Sequence, residues 1–169
     1  MLHHVSVGVT DVERAARFYD EVLGALGYKR SAQYLPYAIA YGEGVSEFWI
    51  QMPHDQRAPN PGNGNHVSFA ARSRDAVDKF HRAAIEHGGA DEGEPGPRPD
   101  YSADYYGAFV RDLDGNKIEA ALRSEPKKTR SKKALPVKAK SKGWPPGKAK
   151  NAAKRGTKTK TAKRKAKRK

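Results

Sequence analysis

One stretch of the chain is written twice, and that repeat limits what it can fold into. His66-Val-Ser-Phe69, followed by Arg72-Ser-Arg-Asp-Ala-Val-Asp-Lys-Phe80 and closing on Gly88-Gly89, slides back by 62 positions onto an earlier stretch. There it meets His4-Val-Ser-Val7, Thr10-Asp-Val-Glu-Arg-Ala-Ala-Arg-Phe18 and Gly27, with no gap. Each copy opens with a histidine, runs as a strand and turns into a helix. Self-similarity over such a length marks a duplicated supersecondary unit, and neither copy can bury its apolar face alone. Two such units facing each other would build one site from two halves.

The local patterns extend each copy. His4 to Val9 alternates and is rich in β-branched residues, as a strand requires. Thr10-Asp-Val-Glu13 has the form of a capping box. Val12, Ala15, Phe18, Tyr19, Val22, Leu23 and Leu26 then follow at helical spacing, and Gly24 and Gly27 suit the helix end. Residues 37–41 and 47–51 read as strands around a turn at Gly42-Glu-Gly44. Pro53 to Asn65 is a Pro/Gly linker. The second copy has a strand at His66–Ala70 and a helix capped by Ser73, then a loop at Gly93–Pro99. Two strands follow, Tyr105–Val110 and Lys117–Leu122, around the turn Asp112-Leu-Asp-Gly-Asn116. The expected fold is α+β: two paired βαβββ modules, residues 1–52 and 65–123, making a curved mixed sheet within a domain 1–125.

Charge divides the chain at the same boundary. The last 44 residues hold 20 of the 33 Lys and Arg and none of the 19 acids. The first 125 carry 13 bases against 19 acids, a net of −6. Residues 126–169 cannot bury enough apolar surface to offset their ordering entropy, so the sequence predicts a disordered basic tail. Its end, Lys163, Arg164, Lys165, Lys167, Arg168 and Lys169, would neutralise phosphates without reading bases. Non-specific nucleic acid or another polyanion is the partner that this charge implies. There are no cysteines, which excludes disulfides, thiolate metal ligands and cysteine nucleophiles. No basic, then apolar leader is visible and no apolar run reaches the ~20 residues of a membrane span, so a cytoplasmic protein without a membrane partner is expected.

The repeat also brings side chains together. Aligning Phe48-Trp49-Ile50 with Ile118-Glu119-Ala120 sets Trp49 opposite Glu119, so that four positions converge: His4, Trp49, His66 and Glu119. Three of the four can ligate a metal. Two imidazoles and a carboxylate with open positions suit Fe(II), Mn, Ni or Zn. Tyr105, Tyr106 and Tyr101 are placed to line the cavity. Trp49 would be an apolar wall, with Glu47 two residues away on the same face of its strand. Parity sends one of Tyr105 and Tyr106 to the core and the other to the cavity, without saying which. His3, His54, His81 and His87 read as surface residues.

The two His-Val-Ser openings, Phe18-Tyr19 with Leu23-Gly24 and Leu26-Gly27-Tyr28, and the run Phe109-Val-Arg-Asp-Leu-Asp-Gly-Asn-Lys-Ile-Glu119 resemble the vicinal oxygen chelate superfamily. That group contains glyoxalases, bleomycin- and fosfomycin-resistance proteins and extradiol dioxygenases. The resemblance covers about Leu2 to Leu122 and none of the tail. It implies metal ligands at His4, His66 and Glu119, with Glu119, Tyr105 and Tyr106 as candidate catalytic groups. It further implies a small substrate chelated through adjacent oxygens, a lyase or dioxygenase type of chemistry, and a homodimer. Lactoylglutathione lyases place a carboxylate where this chain has Trp49, which cannot ligate. A metal-free small-molecule binding or resistance protein of the same fold is the alternative.

Overall fold

The computed structural model describes residues 2–122; the expectations for the basic tail lie outside them. The first module runs β1 (Val5–Gly8), α1 (Val12–Gly24), β2 (Lys29–Tyr34), β3 (Ala38–Gly42) and β4 (Phe48–Gln51). The second repeats it as β5 (Val67–Ala71), α2 (Arg74–Glu86), β6 (Ala90–Pro97), β7 (Tyr106–Arg111) and β8 (Lys117–Leu122). Each module folds into a four-stranded mixed sheet, in the orders β1-β4-β3-β2 and β5-β8-β7-β6. The first strand lies parallel to the last, and the remaining neighbours are antiparallel.

Helix caps follow the sequence with one correction. Asp11, not Thr10, caps α1 by accepting from the Arg14 amide. Thr10 is drawn elsewhere: its amide and hydroxyl both donate to Asp114. Ser73 caps α2, accepting from the Ala76 amide. Gly27 and Gly88 take positive φ just beyond the two helices, at +91° each, where a side chain would be strained.

The core lies between helices and sheets. Helix α1 buries Val12, Ala15, Phe18, Tyr19, Val22 and Leu23, and α2 buries Val77, Phe80 and Ala84. The helices pack on each other, and each on its own sheet. Alternation along the strands decides which residues join them. Phe48 and Ile50 of β4, Ala108 and Val110 of β7, and Ile118 and Ala120 of β8 belong to the buried cluster. Each large side chain so buried contributes roughly 1.5–3 kcal/mol. Trp49, Phe109, Arg111, Lys117 and Glu119 therefore stand on the opposite, helix-free face of their sheets.

The segment expected as a loop at Gly93–Pro99 is largely strand β6, paired with β7. Its glycines and prolines hid it because the pairing is irregular, with register shifts on either side of Gly93. Gly93 sits at φ +155°, a conformation that only glycine takes readily.

The modules are tied by the turn between β7 and β8. Buried Asp112 accepts from the Asp114 and Asn116 amides, from Asn116 Nδ2 and, across 93 residues, from Tyr19 Oη at 2.7 Å. Asn116 Nδ2 also donates to the Gly8 carbonyl at 3.0 Å. Asp114 Oδ1 accepts from Thr10 and from Arg14 Nη2. The turn is thus a hairpin that clamps the first module to the second. Asp112 spends both carboxylate oxygens on these internal donors.

Candidate active site on the second sheet

Register places the first chemical group. Ser68 of β5 pairs with Glu119 of β8, and Ser6 of β1 pairs with Trp49 of β4. Ser6 and Ser68 coincide under the 62-residue shift and each faces the last strand of its module, so Trp49 and Glu119 hold equivalent positions, as the alignment of Phe48-Trp49-Ile50 with Ile118-Glu119-Ala120 has them. Glu119 is 2% exposed although it stands on the helix-free face. Tyr105 Oη donates to its Oε1 at 2.5 Å. His66 Nε2 lies 3.4 Å from its Oε2. Gly107, which pairs with Ala121 beside this group, makes the room. A Cβ there would stand 3.1 Å from both Glu119 Oε1 and Tyr105 Cε1.

The cluster floors a cavity of about 630 Å³, lined by His66, Tyr101, Tyr105, Phe109, Arg111, Lys117, Glu119 and the loop Asn60–Asn65. Tyr101 meets Tyr105 edge-on, and His66 meets Phe109 likewise, at centroid distances of 5.2 and 6.4 Å. Burial and the hydrogen bond to Glu119 push the Tyr105 hydroxyl up to about 12, against a partial opposing effect from Ser68. Tyr105 therefore remains a donor throughout the neutral range. It fixes Oε1 and leaves Oε2 beside His66. A buried carboxylate oriented by a phenol, next to an imidazole, is an arrangement suited to moving a proton.

The other residues singled out by sequence fall elsewhere. Tyr106 points to the helix side, donating to Asp78 of α2 at 2.8 Å, so Tyr105 is the cavity tyrosine and Tyr106 the core-side one. Trp49 stacks on Tyr34 at 6.0 Å and meets the His4 ring edge-on at 6.4 Å, on the first sheet. His4 also contacts His3, Nδ1 to Nδ1, at 2.9 Å. Glu47 lines a separate cleft with His3, His4, Tyr28 and Phe69. His81 is not a bare surface residue, since Nε2 lies 2.9 Å from Asp91 Oδ1. Sequence reasoning passed over Arg111 and Lys117. The signal was present: each lies two residues from a cavity residue on its own strand, Phe109 and Glu119 respectively, and so shares its face.

The expected metal ligands can be tested against this geometry. His66 and Glu119 meet, but His4 belongs to the other half-site, with His3 and Trp49. Among the described residues no group of three or more His, Asp or Glu side chains is placed to hold a metal ion. Two donors fall short of the three protein ligands of a catalytic divalent centre. Within one chain, then, the gathered residues do not fit a catalytic metal. Among the described residues, no helix is long and apolar enough to cross a membrane.

The same architecture recurs in known proteins. A glyoxalase/bleomycin resistance protein from Albidiferax ferrireducens is 40% identical, with a TM-score of 0.64, over 72% of this chain and 97% of that one. A lactoylglutathione lyase from Agrobacterium tumefaciens shares the fold at 17% identity and a TM-score of 0.52, over 72% of this chain and 92% of that one. The Arabidopsis thaliana protein "Glyoxylase I 4" is 30% identical over 102 residues, 52% of this chain and 58% of that protein, so the match spans little more than half of the relative's length. The family model for the Glyoxalase/Bleomycin resistance protein/Dioxygenase superfamily matches residues 1–120, all of the duplicated unit but the end of β8. With both modules, their repeated register and the site-bearing strands inside that match, the chain belongs to the Glyoxalase/Bleomycin resistance protein/Dioxygenase superfamily.

Proposed function

We propose that this protein is a glyoxalase-type enzyme that moves a proton on a small oxygenated substrate held on the helix-free face of its second sheet. The observation that carries this reading is Glu119: a carboxylate 2% exposed, at the floor of a cavity, oriented by Tyr105 and flanked by His66. A carboxylate is rarely buried so fully without a task that repays the cost. Tyr105 holds Oε1, and Oε2 is the proton acceptor. A hydrogen on carbon next to a carbonyl passes to Oε2 and returns to the neighbouring carbon or oxygen. The Asn60–Asn65 loop and Tyr101 line the mouth. The test is deuterium wash-in from D2O, followed by NMR on small 2-oxo aldehydes, free and as thiol adducts, and on α-hydroxy ketones. Exchange that Glu119→Gln abolishes supports the reading. Failure of every compound both to exchange and to bind would remove it.

A second reading follows from the repeated register. The first sheet presents His4 and Trp49, with Tyr34 stacked on Trp49, where the second presents His66 and Glu119. Around them Leu2, Tyr34, Leu35, Tyr37 and Met52 are exposed. A homodimer that sets the first sheet of one copy over the second sheet of the other would bring His4 to His66 and Glu119, the donor set for Fe, Mn, Ni or Zn. Such an ion supplies Lewis acidity to a chelated substrate. Stoichiometric metal that appears only in a dimer, and is lost in His4→Ala, supports this version. Saturable ligand binding without metal or turnover supports the binding-protein alternative. For the tail, the charge alone supports association with nucleic acid or another polyanion, independent of sequence.

A further inference from the structure

Strands β7 and β8 carry, one rung beyond Glu119, a pair of cations that the proton-transfer chemistry leaves unused. Phe109 pairs with Glu119, and Arg111 with Lys117. The two rungs lie on one face, separated by two residues of strand, about 6.6 Å. Glu92 divides its carboxylate between the two cations: Oε1 accepts from Arg111 Nε at 2.6 Å and Oε2 from Lys117 Nζ at 3.1 Å. One negative charge is thus shared by two positive ones. A third cation stands close by. Arg98 lies over the Phe109 ring at 5.7 Å, with Lys117 Nζ over the same ring at 5.2 Å. The Arg98 guanidinium donates to the carbonyls of Glu94 and Pro97, which leave its charge in place. Three cations against Glu92 and Glu119 leave one positive charge around the cavity wall.

We propose that Arg111 and Lys117 bind the carboxylate of the substrate, so that the ligand class is a small monocarboxylate whose reacting carbon reaches Glu119 over about 6.6 Å of strand. This rests on the reading of the Glu119 cavity as the ligand site. The spacing admits a short acid bearing a carbonyl or hydroxyl next to the carboxylate or a few bonds away. It leaves no second positive charge for a dianion. Glu92 acts as a positioning residue. The hydrogen bond from Arg111 first, then that from Lys117, holds its carboxyl below the usual carboxylate range, so it stays ionised and anchors both cations.

Amide spectra of the full chain, titrated at constant ionic strength with pyruvate, its neutral amide and inorganic phosphate, test the proposal. Shifts at Phe109, Lys117 and Glu119 report the cavity, and shifts beyond residue 125 report non-specific association with the tail. Pyruvate should saturate the cavity signals at least about tenfold more tightly than the amide, a difference of about 1.4 kcal/mol. Lys117→Gln, at a partly exposed position, should bring pyruvate to the level of the amide while the rest of the spectrum is unchanged. Equal affinity for the acid and the amide, or an unchanged ratio in Lys117→Gln, overturns the proposal and leaves the cavity as a ligand site. Tighter binding of phosphate overturns the monocarboxylate assignment. Silence of the cavity signals with all three probes also overturns the proposal, and deuterium wash-in on the 2-oxo aldehydes and α-hydroxy ketones then tests separately the reading on which it rests.

Discussion

Glu119→Gln should separate a functional carboxylate from a structural one, because the two predict opposite signs. The substitution keeps the shape and removes the charge. On the debit side, the Tyr105 bond at 2.5 Å changes from charge-assisted to neutral. That lowers its net contribution from roughly 1.5–3 to roughly 0.5–1.5 kcal/mol, a loss of about 1. The His66 contact at 3.4 Å is weak, since that imidazole side chain is 48% exposed; such pairs contribute about 0–1 kcal/mol. On the other side, the buried charge disappears. Its desolvation is worth several kcal/mol, only partly offset by two partners. The variant should therefore be unchanged or more stable by about 1 kcal/mol, raising Tm by about 4 °C for a domain of this size. Proton transfer should fall by about 10²–10⁴-fold. Denaturant unfolding at constant m-value reads the first quantity, and deuterium wash-in the second. A loss of 2 kcal/mol or more with exchange intact would refute the reasoning, because Glu119 would then be a structural acceptor and the cavity chemistry would lie elsewhere.

Other expectations follow from single contacts. Tyr19→Phe removes a buried hydroxyl that donates to Asp112 at 2.7 Å across the module boundary. It should cost about 2 kcal/mol, or about 8 °C in Tm, measured by calorimetry. Tyr105→Phe should change the alkaline limb of the stability curve. The folded value of Tyr105, about 12, lies above the ordinary phenol value of 10.0, so its contribution is complete below pH 10 and fades as pH rises through 12. The difference between wild type and variant should close over that window, and a constant difference would contradict the assignment. Removing residues 126–169 should abolish retention on DNA at low salt. If the tail engages about eight phosphates, the log–log salt slope of the full chain should be about −7.

The duplicated modules were legible because each turned on local chemistry: a β-branched strand after a histidine, a capped amphipathic helix and a closing glycine. Strand β6 was not, since Gly93, Pro95 and Pro97 carry the signature of a loop and pairing with β7 overrides it. Nor could parity decide between Tyr105 and Tyr106. That choice depends on where β7 begins, and the Tyr106 bond to Asp78 of α2 settles it.

The site was legible to the level of a module and no further, and the reason is physical. Alternation states which side chains share a face of one sheet, so Lys117 and Glu119, or Phe109 and Arg111, could be grouped from sequence alone. The 62-residue repeat adds that His4 is the counterpart of His66, the alignment of the last strands makes Trp49 that of Glu119, and the registers agree. Neither relation states which sheet faces which. That depends on the contacts between modules: helix on helix, the Asp112–Asn116 clamp, the Tyr28 hydroxyl on the Ala70 carbonyl, Phe48 against Phe69 and Arg72 with Glu43, none of which joins His4 to Glu119. Trp49 then acquires a different meaning. In a site shared within one chain it would be a missing ligand. On a separate sheet, stacked on Tyr34, it is an aromatic surface with no carboxylate to hold in place. The duplication has diverged into an aromatic half and a polar half, and the polar half alone contains a buried acid, its orienting phenol and a row of cations. Catalysis by one module would need Glu119, Tyr105 and Lys117 but tolerate Trp49→Phe. Catalysis by a shared site would lose activity with His4→Ala as well, and the pair of variants decides between them.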